Sequence, residues 1–232
     1  MRRPKKRLLP PFKDRLTVAQ AAQGIEFALK NARDLLGDAE FMLMNERWPR
    51  ACALAVLAIE ESGKPGILRA LLLARSDQEL HDEWTGYRHH TAKNVSWILP
   101  DLVSSGARQL EELRSLFDKS SDHPHLLDSI KQLALYSDCF GDCHWSLPYE
   151  AIDQSLAESI VSVAKVLVSN RPTAMTSAAE LELWVKHIRP VWKGPMEDMK
   201  RALLACYQEA ESIGVLRGDN TSSGMGAFLG FQ

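Results

Sequence analysis

The stretch "WTGYRHHTAKN", Trp84 to Asn94, sets Arg88, His89, His90 and Lys93 among aromatic residues. On a helix, His90 and Lys93 are three apart and share a face, while Arg88 faces elsewhere. A cation beside an imidazole lowers its proton affinity and leaves a neutral base available near neutral pH. A ribonuclease starts from that state, because its base must take the proton of the RNA 2′-hydroxyl. A neighbouring Lys or Arg then holds the phosphate and stabilises the developing negative charge. The nucleophile is the RNA's own hydroxyl, so this route calls for no metal and no other cofactor. The plainer reading puts His89 and His90 at a helix start on the surface, with no chemical task.

A second stretch, "LAIEESGK", places Glu60, Glu61 and Lys64 at the end of an apolar run. Glu60 and Lys64 are four apart in the favourable order for a pair on one face. Glu61 points about 100° away and is free to face another helix. Two readings stand: an ion pair that fixes helix packing, or the polar wall of a cleft in which Glu61 and Lys64 orient the reacting groups. A third stretch, "KQLALYSDCFGDCHWSLP", holds Lys131, Tyr136, Asp138 and Trp145. Tyr136 is a candidate hydrogen-bond donor to a buried carboxylate, and Trp145 and Pro148 are candidate covers for the end of a bundle. Cys139, Cys143 and His144 are close-set enough for weak metal binding. A tetrahedral zinc set needs a fourth ligand that the sequence does not supply, so the reading is no metal. Cys52 and Cys206 sit in apolar helical contexts, where free buried thiols are common.

The elements that must position these groups read as helices. Thr17 and Gln20 form a capping box, and a three-four apolar rhythm runs from Val18 to about Leu43. A turn at residues 45–47 leads, through Pro49, into a helix from Arg50 to about Leu73. Its first half, "ACALAVLAI", is apolar all round, the mark of a central helix. Pro65 predicts a kink or break near Ser62. Ser76 with Glu79 caps a short segment toward Trp84. A helix over Tyr87 to Leu99, stopped by Pro100, follows, then one over Asp101 to Phe117 and a linker from Lys119 to Pro124. Further helices are predicted over Leu126–Asp138 and Tyr149–Val168, with an irregular loop at Phe140–Pro148 between them. The Tyr149 helix stops before Asn170, Arg171 and Pro172. The last two helices follow Ser177 and Pro195, and the Gly- and Ser-rich tail from Gly218 reads as loose.

The chain has 232 residues, 45% of them hydrophobic, and a net charge near −2. That is globular composition, and no global charge argues for nucleic acid. The first fifteen residues are basic, and no stretch is apolar enough to span a bilayer. Leu8 and Leu9 run into Pro10 and Pro11, which leaves no secretory core. The cytoplasm is the expected compartment.

Taken together, the three stretches resemble the AbiV abortive-infection family of the HEPN superfamily. The resemblance rests on Asn31, Ala32, Leu35, Leu36 and Ala39 of the first helix, on "ALAVLAIEESGK", on His90 with Lys93, and on "LYSD" followed by Trp145 and Pro148. It covers about residues 17–165 and departs at Ser62, where the family carries an aliphatic residue. It implies an all-α, HEPN-like helical bundle with additional C-terminal helices. The division is a basic flexible arm at 1–16, a HEPN/AbiV-like domain at 17–168, accessory helices at 169–217 and a flexible tail at 218–232.

The resemblance also implies phage defence, by a dimeric endoribonuclease needing no metal. His90 is then the general base or acid, Lys93 and Arg88 contact phosphate, Glu61 and Lys64 orient them, and Lys131 and Tyr136 contact RNA. The superfamily's mark, an arginine then a histidine after four to six residues, fits Arg75 and His81 but falls across the turn at Ser76. Two other readings stand beside it. One is a non-catalytic module that contacts RNA or a phage protein and blocks phage or host translation. The other is a structural bundle whose polar pairs only secure packing.

Overall fold

The computed structural model describes residues 10–118, 120–168, 174–216 and 219–231. The fold is a predominantly helical bundle around one central helix. α1 (Val18–Met44) starts where expected: Thr17 Oγ accepts from Gln20 N at 3.2 Å, and the Gln20 side chain accepts from Thr17 N at 2.9 Å. Its buried face is small: Ala21, Ile25, Ala28, Ala32 and Ala39. α2 (Trp48–Leu73) is central, with Ala51, Cys52, Ala53, Ala55, Val56, Ala58 and Ile59 all essentially closed to solvent. The small side chains let α1 lie close along it.

The expected break at Ser62 does not form, and α2 runs through Pro65 unbroken. An interior proline costs about 3 kcal/mol, and packing on several sides of α2 offsets it. α3 (Asp77–Arg88) begins at Ser76, whose Oγ accepts from Glu79 N, but the Glu79 carboxylate turns to Arg75 N, so the capping is one-sided.

The helix predicted over Tyr87–Leu99 is divided. α3 ends at Arg88, His89 is extended, and α4 (His90–Lys93) is a single turn. A 3₁₀ turn (Val95–Ile98) and α5 (Leu99–Ser104) follow, and Pro100 opens α5 rather than stopping a helix. The break lets α4 leave the line of α3 and pack on α2. The helix expected over Asp101–Phe117 stops near Gly106, at φ +108°, and resumes as 3₁₀ (Leu110–Phe117).

α6 (His123–Leu135) starts and ends earlier than expected. The end of the predicted helix and the predicted irregular loop together form a hairpin, β1 (Asp138–Phe140) and β2 (His144–Ser146), antiparallel with Cys139 opposite Trp145. The helix read from Tyr149 is split into α7 (Pro148–Ala151) and α8 (Gln154–Leu167), because Asp153 caps the second part through Leu156 N.

α9 (Ala178–Ile188) and α10 (Met196–Ser212) match the two expected helices, and α9 packs on α1 and α2. The tail is not loose throughout: α11 (Ser222–Phe228) follows Thr221, and Leu229 is 2% exposed. The arm is likewise tied at its later half. Arg88 donates to Phe12 O, Trp84 Nε1 to Asp14 O, and Arg15 to Ala74 O. The readings at residues 1–9, Lys119, 169–173, 217–218 and Gln232 lie outside the described residues. No helix among those described is long and apolar enough to cross a membrane.

Candidate active site: a buried glutamate under a half-exposed histidine

The face of α2 carrying Val56, Glu60 and Gly63 receives both α4 and α6. Glu60 is 3% exposed. A carboxylate so placed needs partners for both oxygens, and other helices supply them. Lys131 Nζ of α6 lies 2.5 Å from Glu60 Oε1. His90 Nδ1 of α4 lies 2.6 Å from Oε2, and Lys93 Nζ is 3.9 Å from the same oxygen. Lys131 also meets Asp128 Oδ1 at 2.7 Å, out of line for a hydrogen bond, so that contact is an ion pair.

The closeness of α4 to α2 depends on Gly63. A side-chain carbon there would sit 2.2 Å from the Lys93 carbonyl oxygen. This is the physical sense of glycine in "EESGK". Lys93 is nearly buried, and burial lowers its proton affinity. The Glu60 charge opposes that shift; Lys64 and Lys131 add to it, while Glu61 counters.

His90 is the most open member of the cluster, its side chain 53% exposed against 30% for Asp128. When Nδ1 carries hydrogen and donates to Glu60, Nε2 presents its lone pair. Nε2 has no hydrogen bond among the described residues. Two carboxylates and two lysines balance in charge, so the cluster is neutral with an uncharged ring. The arrangement is suited to moving a proton at Nε2.

The expected residues divide as follows. His90, Lys93 and Lys131 converge, with the two lysines facing inward; Lys131, read as an RNA contact, is 3% exposed and bonded to Glu60. The expected Glu60–Lys64 pair is replaced: Lys64 bonds Glu61 at 2.5 Å and lies over the Tyr87 ring. Glu60 is turned toward lysines from other helices, leaving Lys64 and Glu61 together at the rim. Arg88 is occupied by Trp84 O, Phe12 O and the Trp84 ring.

Arg75 pairs with Glu79. His81 lines a separate cleft of about 550 Å³ with Lys13, Asp14, Asp77, Trp84 and Arg88. Neither Arg75 nor His81 touches the Glu60 cluster. Tyr136 is 58% exposed and meets no buried carboxylate among the described residues, and Trp145, at 66%, stands out from the hairpin rather than covering the bundle.

Ligand atoms of Glu60, His90 and Asp128 lie within 4.8 Å of one another, a span that suits a small cation. Lys131 Nζ lies against both carboxylates, so a cation bound there would compete with its ammonium. Cys139, Cys143 and His144 do not converge as a three-ligand set with any other group described. Glu60 and Asp128 were missed as site residues. The pair Asp128 and Lys131, three apart beside buried Leu127, carried the available signal.

Fold and site together define a helical domain whose central helix presents a carboxylate–histidine pair backed by lysines. The AbiV family model of the HEPN group matches residues 20–169, the span that holds every member of the cluster. The chain belongs to the AbiV family. No curated protein and no solved structure matches it.

Proposed function

We propose that the protein is a phage-defence factor acting on RNA, as an endoribonuclease that needs no metal and uses His90 for proton transfer. The observation that carries the reading is the 2.6 Å contact of His90 Nδ1 with Glu60, made by a ring half open to solvent. Glu60 orients the ring, and Nε2 takes the 2′-hydroxyl proton. The oxygen attacks the adjacent phosphorus, the bond to the 5′-oxygen breaks, and the proton is returned to that leaving oxygen. Lys93 and Lys131 hold the Glu60 charge in place. Lys64, at the rim, is the partly open cation for the phosphate.

Of the outlying residues, Tyr136 offers a ring on which a base can stack. On the same reading, residues 17–168 are the working domain, the following helices are accessory, and a cytoplasmic homodimer sets the cations of two copies against one phosphate chain.

A second reading is a non-catalytic module that blocks phage or host translation by contacting RNA or protein. It is favoured by the inward direction of Lys93 and Lys131, which leaves few cations converging at the surface. Purified protein incubated with mixed RNAs and a chelator separates the two. Cleavage by wild type, lost in His90→Ala with unchanged circular dichroism, supports the nuclease. Equal cleavage by both removes His90 from the mechanism, and none by either supports the binding module.

A further inference from the structure

Cys139 and Cys143 lie outside the Glu60 cluster, and no step above uses them. The ladder pairs Phe140 with His144 and Cys139 with Trp145. Side chains alternate along a strand, so Phe140 and His144 share one face and Cys139 takes the other. Cys143 ends the turn just before His144, two residues from Trp145, the ladder partner of Cys139. Left-handed backbone at Gly141 (φ +50°) and Cys143 (φ +68°) curls the turn tightly. The Cys143 side chain is close enough to strengthen the hold of the Cys139 thiol on its proton, and the two sulfurs are not bonded to each other. Both are free cysteines, Cys143 exposed and Cys139 partly exposed.

The other two cysteines differ. Cys52 and Cys206 are buried, and burial pushes each thiol up to about 12. Cys139 also holds its proton more tightly than an ordinary thiol, through burial first, then the neighbouring Cys143 side chain and the Asp138 charge. Cys143 is therefore the sulfur presented to solvent, with a proton donor beside it.

We propose that Cys139 and Cys143 form a reversible oxidation site, which a hydroperoxide converts into a disulfide closing the hairpin turn. The Cys143 thiolate attacks one oxygen of hydrogen peroxide; the S–O bond forms, the O–O bond breaks, and hydroxide leaves and is protonated by solvent. The Cys139 sulfur then attacks the sulfenic sulfur of Cys143; the S–S bond forms, the S–O bond breaks, and hydroxide departs as water with the Cys139 proton. Two electrons pass from the two sulfurs to the peroxide, and a dithiol reductant reverses the change. The cross-link holds the turn that sets Phe140 and Trp145, 45% and 66% exposed, on the surface. Trp145, opposite Cys139, reports it through fluorescence.

The test treats the full-length reduced protein with equimolar hydrogen peroxide and maps the unreduced digest by mass. The expected result is loss of two hydrogens within the peptide spanning both cysteines, with quenched tryptophan emission that dithiothreitol restores. Cys139→Ser leaves a sulfenic acid on Cys143 that dimedone traps, and Cys143→Ser leaves Cys139 as a thiol. The proposal is overturned if wild type keeps both thiols, if Cys143 pairs with Cys52, Cys206 or a second copy, or if Cys143→Ser oxidises as fast as wild type.

Discussion

A methyl group on Gly63 would stand 2.2 Å from the Lys93 carbonyl oxygen and 3.0 Å from its carbon, whereas ordinary contact starts at 3.4 Å. In Gly63→Ala, α4 must therefore recede from α2 by about 1.2 Å, the gap between 2.2 and 3.4 Å. α4 is one turn, so His90 and Lys93 move with it. A 2.6 Å His90–Glu60 contact lengthens toward about 3.8 Å, beyond hydrogen-bond reach. Such overpacking costs about 1–3 kcal/mol, offset by about 1 kcal/mol because alanine outranks glycine within a helix. The net loss is then only about 0–2 kcal/mol, but a shift of this size costs about 10²-fold in a positioned proton transfer.

Gly66→Ala is the control. It lies in the same helix with nothing within 4 Å of its added carbon, and should gain about 0.5–1 kcal/mol. Urea unfolding of both variants isolates the steric cost, since the propensity gain is common to them. RNA cleavage and the His90 ring signals in NMR read the displacement. If both variants are equally stable and Gly63→Ala keeps the wild-type rate and ring signals, the α2–α4 contact does not position the site.

Lys131→Met removes a cation that is 3% exposed and should cost about 3–5 kcal/mol in urea unfolding, because Glu60 and Asp128 lose their shared partner. The same variant leaves the Glu60, His90 and Asp128 ligand atoms, within 4.8 Å of one another, without the ammonium between them. Zn²⁺ should then raise its melting temperature and leave wild type unmoved. Burial raises the Cys52 and Cys206 thiols from 9.0 to about 12. Their contribution to stability is complete below pH 9 and is lost as pH climbs toward 12, because the unfolded chain ionises first. Replacing both with alanine should flatten the fall of the urea midpoint above pH 9, while Lys93, lowered by burial from 10.5, gives an opposite slope shared by both proteins. Arg88→Ala frees the Phe12 carbonyl, and tryptic cleavage after Lys13 should become faster.

The long helices were legible because their signals are local. The Thr17 cap, the apolar surround of α2 and the Ser177 cap depend on neighbours in sequence, and each element formed there. The errors lie where a tertiary contact overrides local preference. His89 leaves the helix so that α4 can reach Gly63, and Pro65 is absorbed by packing around α2. The direction of Glu60 was not legible because its partners come from α4 and α6, 30 and 71 residues away in sequence. Glu61 and Lys64, neighbours on one helix, drew attention from the glutamate that faces the other two.

A purely structural account of the Glu60 cluster meets two difficulties. Buried ionic groups seldom add net stability over apolar side chains of the same size, yet α2, α4 and α6 each contribute charge at this point. Asn94, adjoining Lys93, is 0% exposed and leaves both amide atoms without a hydrogen bond among the described residues, a further cost in the same place. A packing device would also be closed to solvent throughout, as the Ile59 side is. Here the most open member, at 53% against 30% for Asp128, is the residue able to exchange a proton, and a proton arriving at its outer nitrogen is answered by a carboxylate already in contact with the inner one. Two lysines keep that carboxylate in position whether or not the ring is charged. On the proposed reading, the stability given up is spent on a fixed path for charge between the interior and an RNA docked at His90.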